Sequence, residues 1–132
     1  MLIHPDTVIA GSARRGADEG RADDLREALS LRREELAAEY AGAVAEMTLA
    51  GVVDAGDDVA DLGNKAFNRE QEFALAVAIR TRMDQVERAL ERLDAGRYGT
   101  CERCSQEIPV ARLAAFPSVT LCVGCKSITE RR

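Results

Sequence analysis

The chain has 132 residues, 46% of them apolar, 31% charged and 4% aromatic, with a formal charge of −5, which fits one small domain and excludes disorder throughout. No stretch approaches the ~20 apolar residues of a membrane-crossing helix, and the start, MLIHPDTVIAGSARR, lacks a basic segment followed by an apolar core, so a cytoplasmic protein without membrane contact is expected. Alanine supplies 22 residues and there is no Trp, which leaves little bulk for a thick core and calls for another source of stability.

Residues 1–21 are rich in Gly, Ala and balanced charge and show no periodicity, so a mobile or loosely docked segment is expected, with His4 a terminal bystander. Prolines occur only at 5, 109 and 117, which leaves the intervening chain free to form long helices. Leu25, Leu29, Leu36, Tyr40 and Met47, with Ala43 and Val44, keep one face apolar at close to 3.6 residues per turn and predict a first helix. Residues 51–64, GVVDAGDDVADLGN, hold three glycines and four aspartates without a basic residue and predict an acidic turn. Ile79, Met83, Val86, Leu90 and Leu93 then repeat at 4, 3, 4, 3, the heptad seam of a second helix over about Asn64 to Ala95, with Asp84 and Arg88 paired on its polar face. Gly96 is its expected stop. Two amphipathic helices joined by a turn predict a mainly α fold, a long antiparallel hairpin over residues 22–95 with its tip at 51–64, followed by a cysteine-bearing segment over 96–132.

Cys101, Cys104, Cys122 and Cys125 form the pattern C-x₂-C-x₁₇-C-x₂-C. Each pair can sit on a tight turn with both sulfurs aimed at one ion, so one structural Zn²⁺ is expected, with no open position for an activated water. The site would clamp Ile108, Leu113, Phe116, Val119 and Leu121 into a small core against the hairpin base. By segment the charge is 0 over 1–21, −4 over 22–50, −4 over 51–64, 0 over 65–95 and +3 over 96–132. Duplex-DNA binding wants the opposite balance, so a protein partner is expected.

The run YGTCERCSQEIPVARLAAFPSVTLCVGCK, residues 98–126, resembles the zinc finger of the DksA/TraR family of bacterial transcription regulators, and the heptad helix before it resembles that family's coiled coil. The family's tip motif, Asp-x-x-Asp-x-Ala, is matched by Asp58-Val59-Ala60-Asp61-Leu62-Gly63, collinear without gaps up to the last cysteine. The resemblance spans residues 25–126. It implies direct binding to RNA polymerase, with the coiled coil entering the secondary channel, Asp58 and Asp61 acting near the catalytic magnesium, and no contact with DNA. A second role for the same two residues is helix capping, Asp58 at the N-cap and Asp61 at N3.

The resemblance also bears on the stringent response. In the best-known member of the family, guanosine tetraphosphate sits between polymerase and basic side chains on the second helix and just after the last cysteine. Those positions here are Ala78, Gln85 and Lys126, with Arg80 and Arg82 expected to point away from Ala78, so a weak or absent response is expected. Two further departures are Gly63 in place of the motif's Ala and the C-terminal helix that the resemblance implies, which is short here, with seven residues after Cys125. The competing readings are a zinc-ribbon nucleic-acid binder and a structural coiled-coil adaptor. An enzyme is not expected, since there is no Ser/His or Cys/His pair, no Gly-rich phosphate loop, and the metal site is saturated.

Overall fold

The computed structural model describes residues 6–49, 56 and 58–131, with side chains from residue 19 onward; His4 and most of the acidic turn lie outside them. Among the described residues four helices follow in the order α1 (Asp6–Leu49), α2 (Val59–Asp94), α3 (Val110–Ala115) and α4 (Val123–Glu130). Among the described residues the only β pairing is an isolated bridge between Thr100 and Glu107. At 1.5 Å per residue, the 44 residues of α1 and 36 of α2 are about 66 and 54 Å long.

The two long helices pack as the expected hairpin, and the predicted stripes are the ones that meet. Leu29, Leu36 and Ala43 of α1 are buried with Ala76, Ile79, Met83, Val86, Ala89 and Leu90 of α2, flanked by Leu25, Tyr40, Met47 and Leu93. Each fully buried Leu, Ile, Val or Met contributes roughly 1.5–3 kcal/mol, so the seam is what holds the helices together. The exposed ion pair of Arg26 with Asp94 at 2.9 Å ties the hairpin at its base. On α2, Asp84 pairs with Arg80 at 3.2 Å rather than with Arg88, which turns instead to Glu102.

Two expected boundaries move. Residue 21 is not the end of any element, because α1 runs through it from Asp6; among the described side chains, which start at residue 19, Leu25 is the first of α1 against the core. Periodicity marks a packed face, and an Ala- and Arg-containing segment can be helical without one. Helix α2 likewise starts at Val59, so residues 59–64 are helical and not turn. Asp58 is responsible: in extended conformation it caps the helix, its Oδ1 accepting the Asp61 N–H at 2.8 Å. Residues 59–75 include no buried side chain, so this end of α2 stands open, with Val59, Phe67 and Phe73 at least 60% exposed.

The other end of α2 closes as a Schellman motif. Gly96 takes φ +71°, its N–H reaching Leu93 O at 3.1 Å and the Arg97 N–H reaching Arg92 O at 2.8 Å. The positive φ explains why glycine stands there. The chain then turns directly into the cysteine-bearing segment.

Candidate metal centre and acidic tip

The first cysteine pair sits on a knuckle built by short backbone bonds. Ile108 N donates to Gly99 O and Cys101 N to Gln106 O, both at 2.8 Å, and Ser105 N returns to Cys101 O at 3.1 Å with Ser105 in the left-handed region at φ 61°. The second pair opens α4. Cys122 is its N-cap, and its sulfur accepts the Cys125 N–H at 3.4 Å. Glu102 N donates to Thr120 O at 2.9 Å and fastens the two halves together.

All four sulfurs lie within 4.8 Å of one another, and Cys104 and Cys122 are 3.8 Å apart. Four thiolates at ~2.3 Å from one tetrahedral Zn²⁺ stand ~3.8 Å from each other, so the set fits zinc. The chemistry of the donors agrees. Burial raises the Cys101 thiol, but backbone hydrogen bonds from Cys104, Cys122 and Arg103 outweigh it and bring it down to about 6. Cys125 is pushed up to about 12, by the Cys122 hydrogen bond first and then by burial and its other sulfur neighbours. Four sulfurs this close do not all ionise unaided, whereas a divalent cation among them ionises a coordinating thiol outright. The metal centre is therefore a closed Cys₄ zinc site with a structural role.

Around it, Cys101, Ile108 and Cys125 are buried, with Leu113, Val119, Leu121 and Cys122 packed against them. Phe116, expected in this core, is 62% exposed. It is the C-cap of α3, where the chain leaves the helix at φ −133°, so its side chain no longer follows the packed face. The finger's buried cluster and the hairpin's share no residue, so the expected core against the hairpin base is instead two cores.

Asp58 and Asp61 are exposed at the far end of α2, roughly 50 Å from the cysteines at 1.5 Å per helical residue. Lys126 lies in the first turn of α4, half exposed, with Nζ 3.9 Å from Glu130. It lines a cleft of about 600 Å³ between α2 and the finger, together with Arg82, Gln85 and Arg112. Arg82 thus does not point away: it is four residues after Ala78 and three before Gln85, which places all three on one face of the helix. Gln85 is also a contact that sequence reasoning missed, since its amide bonds the finger at Ser118 and Thr120. Partners 33 and 35 residues away leave no local signal.

Comparison with known proteins agrees with this architecture. A family profile for the prokaryotic dksA/traR C4-type zinc finger matches residues 96–131. The chain is 35% identical over 92 residues to the RNA polymerase-binding transcription factor DksA of Haemophilus influenzae, covering 67% of this chain and 63% of that protein. It is 35% identical over 68 residues to the same factor of Escherichia coli K12, covering 48% and 45%. The chain thus spans about half to two thirds of these curated relatives. The solved structure of the transcription factor DksA2 from Pseudomonas aeruginosa superposes with a TM-score of 0.69 at 32% identity, covering 87% of both chains. A Chlamydia trachomatis polymerase-binding regulator, at 20% identity and a TM-score of 0.51, shares the fold.

Proposed function

The chain belongs to the DksA/TraR family, and from that premise we propose that it is a cytoplasmic, non-enzymatic regulator that binds RNA polymerase directly, without binding DNA. In this reading the hairpin enters the secondary channel and carries Asp58 and Asp61 to the active centre, while the zinc finger stays outside. The observation that carries it is the separation of parts on one stiff rod: two exposed carboxylates at the tip of a helix about 54 Å long, and a closed Cys₄ site at its base. Carboxylates at the end of a narrow support can reach a metal-bearing centre that a globular surface cannot. The relatives whose names state polymerase binding, DksA of H. influenzae and of E. coli, support the choice of partner. The acidic balance of the chain, −5, supports a protein partner over nucleic acid.

The test exploits the cap. Asn is about as good an N-cap as Asp, so Asp58→Asn with Asp61→Asn keeps the helix start and removes only charge. Affinity for core RNA polymerase is expected to stay within a factor of a few, because most contact area lies along the rod and finger, while the effect on transcription from an unstable promoter complex is lost. Asp58→Ala, which removes cap and charge together, is expected to destabilise the protein by about 1 kcal/mol as well. An unaltered transcriptional effect in the double Asn variant leaves the tip as a helix cap and nothing more.

A further inference from the structure

The hairpin and the finger bury separate apolar clusters, and the bonds that cross between them are polar and directional. Gln85 on α2 turns its carboxamide nitrogen to the finger, donating to the Ser118 carbonyl at 2.7 Å and to Thr120 Oγ1 at 2.9 Å. Thr120 is 3% exposed and is the only buried polar residue among those described. Its hydroxyl donates in turn to Glu102 Oε2 at 2.9 Å. That carboxylate lies 3.7 Å from Arg88 Nη1, one turn along α2 from Gln85. The contacts therefore close a ring that leaves the hairpin at Gln85, passes through Thr120 and Glu102 of the finger, and returns to the hairpin at Arg88.

The ring has one consistent direction. A threonine hydroxyl has a single hydrogen, and an ionised carboxylate can only accept. With that hydrogen given to Glu102, Thr120 must accept from Gln85, and Gln85 must present its nitrogen. Both hydrogens of the Gln85 amide are then used, one on each finger acceptor. Two apolar surfaces can slide past each other at little loss, whereas a directional chain of polar contacts, buried at Thr120, half-buried at Gln85 and reaching the surface at Glu102 and Arg88, is satisfied in one arrangement only. Attachment at two points of α2, three residues apart, also opposes rotation about either one. Near the hand-over, Arg92 Nη2 adds bonds to Thr100 O at 2.7 Å and Arg97 O at 3.3 Å.

We propose that this ring is the joint that sets the direction of the zinc finger relative to the hairpin, with Gln85 and Thr120 as its positioning residues. Breaking it frees the finger to swing while both halves keep their folds. The joint concerns the free protein and holds whether or not the chain binds polymerase; if it does, the ring fixes the span between the tip and the finger that a single partner would meet.

The experiment uses the full zinc-loaded chain, isotopically labelled and weakly aligned, with residual dipolar couplings read for the amides of α2 and of residues 97–126. In the unmodified protein both sets are expected to fit one alignment tensor. In Gln85→Ala, and separately in Thr120→Val, the finger's couplings are expected to need a tensor of their own, smaller than that of α2. Zinc should remain stoichiometric in both, and Thr120→Ser, which keeps the hydroxyl, should restore the common tensor. A common tensor retained in either variant overturns the proposal. So does loss of zinc, which would make the ring part of the finger's own fold, or a Thr120→Ser protein that behaves like Thr120→Val.

Discussion

Cys122 serves two purposes that a substitution can pull apart. It is a ligand of the metal centre and the N-cap of α4, its sulfur accepting the Cys125 N–H. Serine is a strong N-cap but a poor zinc ligand, so Cys122→Ser keeps the start of α4 and removes the metal. Structural zinc supplies on the order of 10 kcal/mol or more in apparent binding energy, and the finger's buried cluster is only Cys101, Ile108 and Cys125. The variant is therefore expected to purify without stoichiometric zinc and to lose amide-exchange protection over residues 97–126, while the hairpin amides from Leu29 to Val86 keep theirs. Full zinc content with unchanged protection would contradict the structural role. The ligands were legible because each Cys-x₂-Cys pair is a local signal. Gln85 and Thr120 were not, because what defines them is each other's position in space. Phe116 misled for the opposite reason: its apolar side chain suggests burial, but it falls where α3 ends and points outward.

The helical seams were also legible, since spacing alone assigned Leu29, Leu36, Ile79, Met83, Val86 and Leu90 to the faces that meet. The ends of the elements were less so. Asp58 was legible as an N-cap, but the three glycines and four aspartates of residues 51–64 still read as a turn, so the start of the helix was placed at Asn64 although α2 begins at Val59. Gly63 is the clearest case, because it lies inside the first turns of α2 with a helical φ and open space where a Cβ would be. Alanine is favoured over glycine in a helix interior by about 1 kcal/mol, and it also lowers the entropy of the unfolded chain. Gly63→Ala, which restores the family's motif residue, is expected to raise stability by roughly that amount in urea unfolding and to increase helicity near the tip. A neutral or destabilising result would mean that residues 59–63 are not helical in solution.

For the molecule as a whole, the proposed function divides the work between a tip, a rod and a finger. The family resemblance would put any regulation by guanosine tetraphosphate at the cleft between rod and finger. Of the three positions the resemblance points to, Ala78 is uncharged, the Gln85 amide is committed to Ser118 and Thr120, and Lys126 is shared with Glu130, which leaves Arg82 and Arg112 as the other cations of the cleft. Recognition of such a ligand needs several convergent donors free to turn to it, so the response is expected to be weak. Titrating the nucleotide into transcription reactions, with a polymerase that has no other site for it, measures this. A strong response dependent on the protein and lost in Arg82→Ala or Lys126→Ala would contradict the expectation, and Arg82 is included because it lines the same cleft.

The most direct measurement on the central claim is a photocrosslink from the tip. A photoreactive amino acid at Val59, which is 87% exposed beside the Asp58 cap, is incorporated into the full zinc-loaded chain and irradiated with core RNA polymerase in the presence and absence of DNA. The proposed function predicts a stoichiometric complex without DNA and crosslinks to polymerase segments that line the secondary channel next to the catalytic magnesium. Crosslinks confined to the enzyme's outer surface, attachment to DNA alone, or no complex with core polymerase would contradict it.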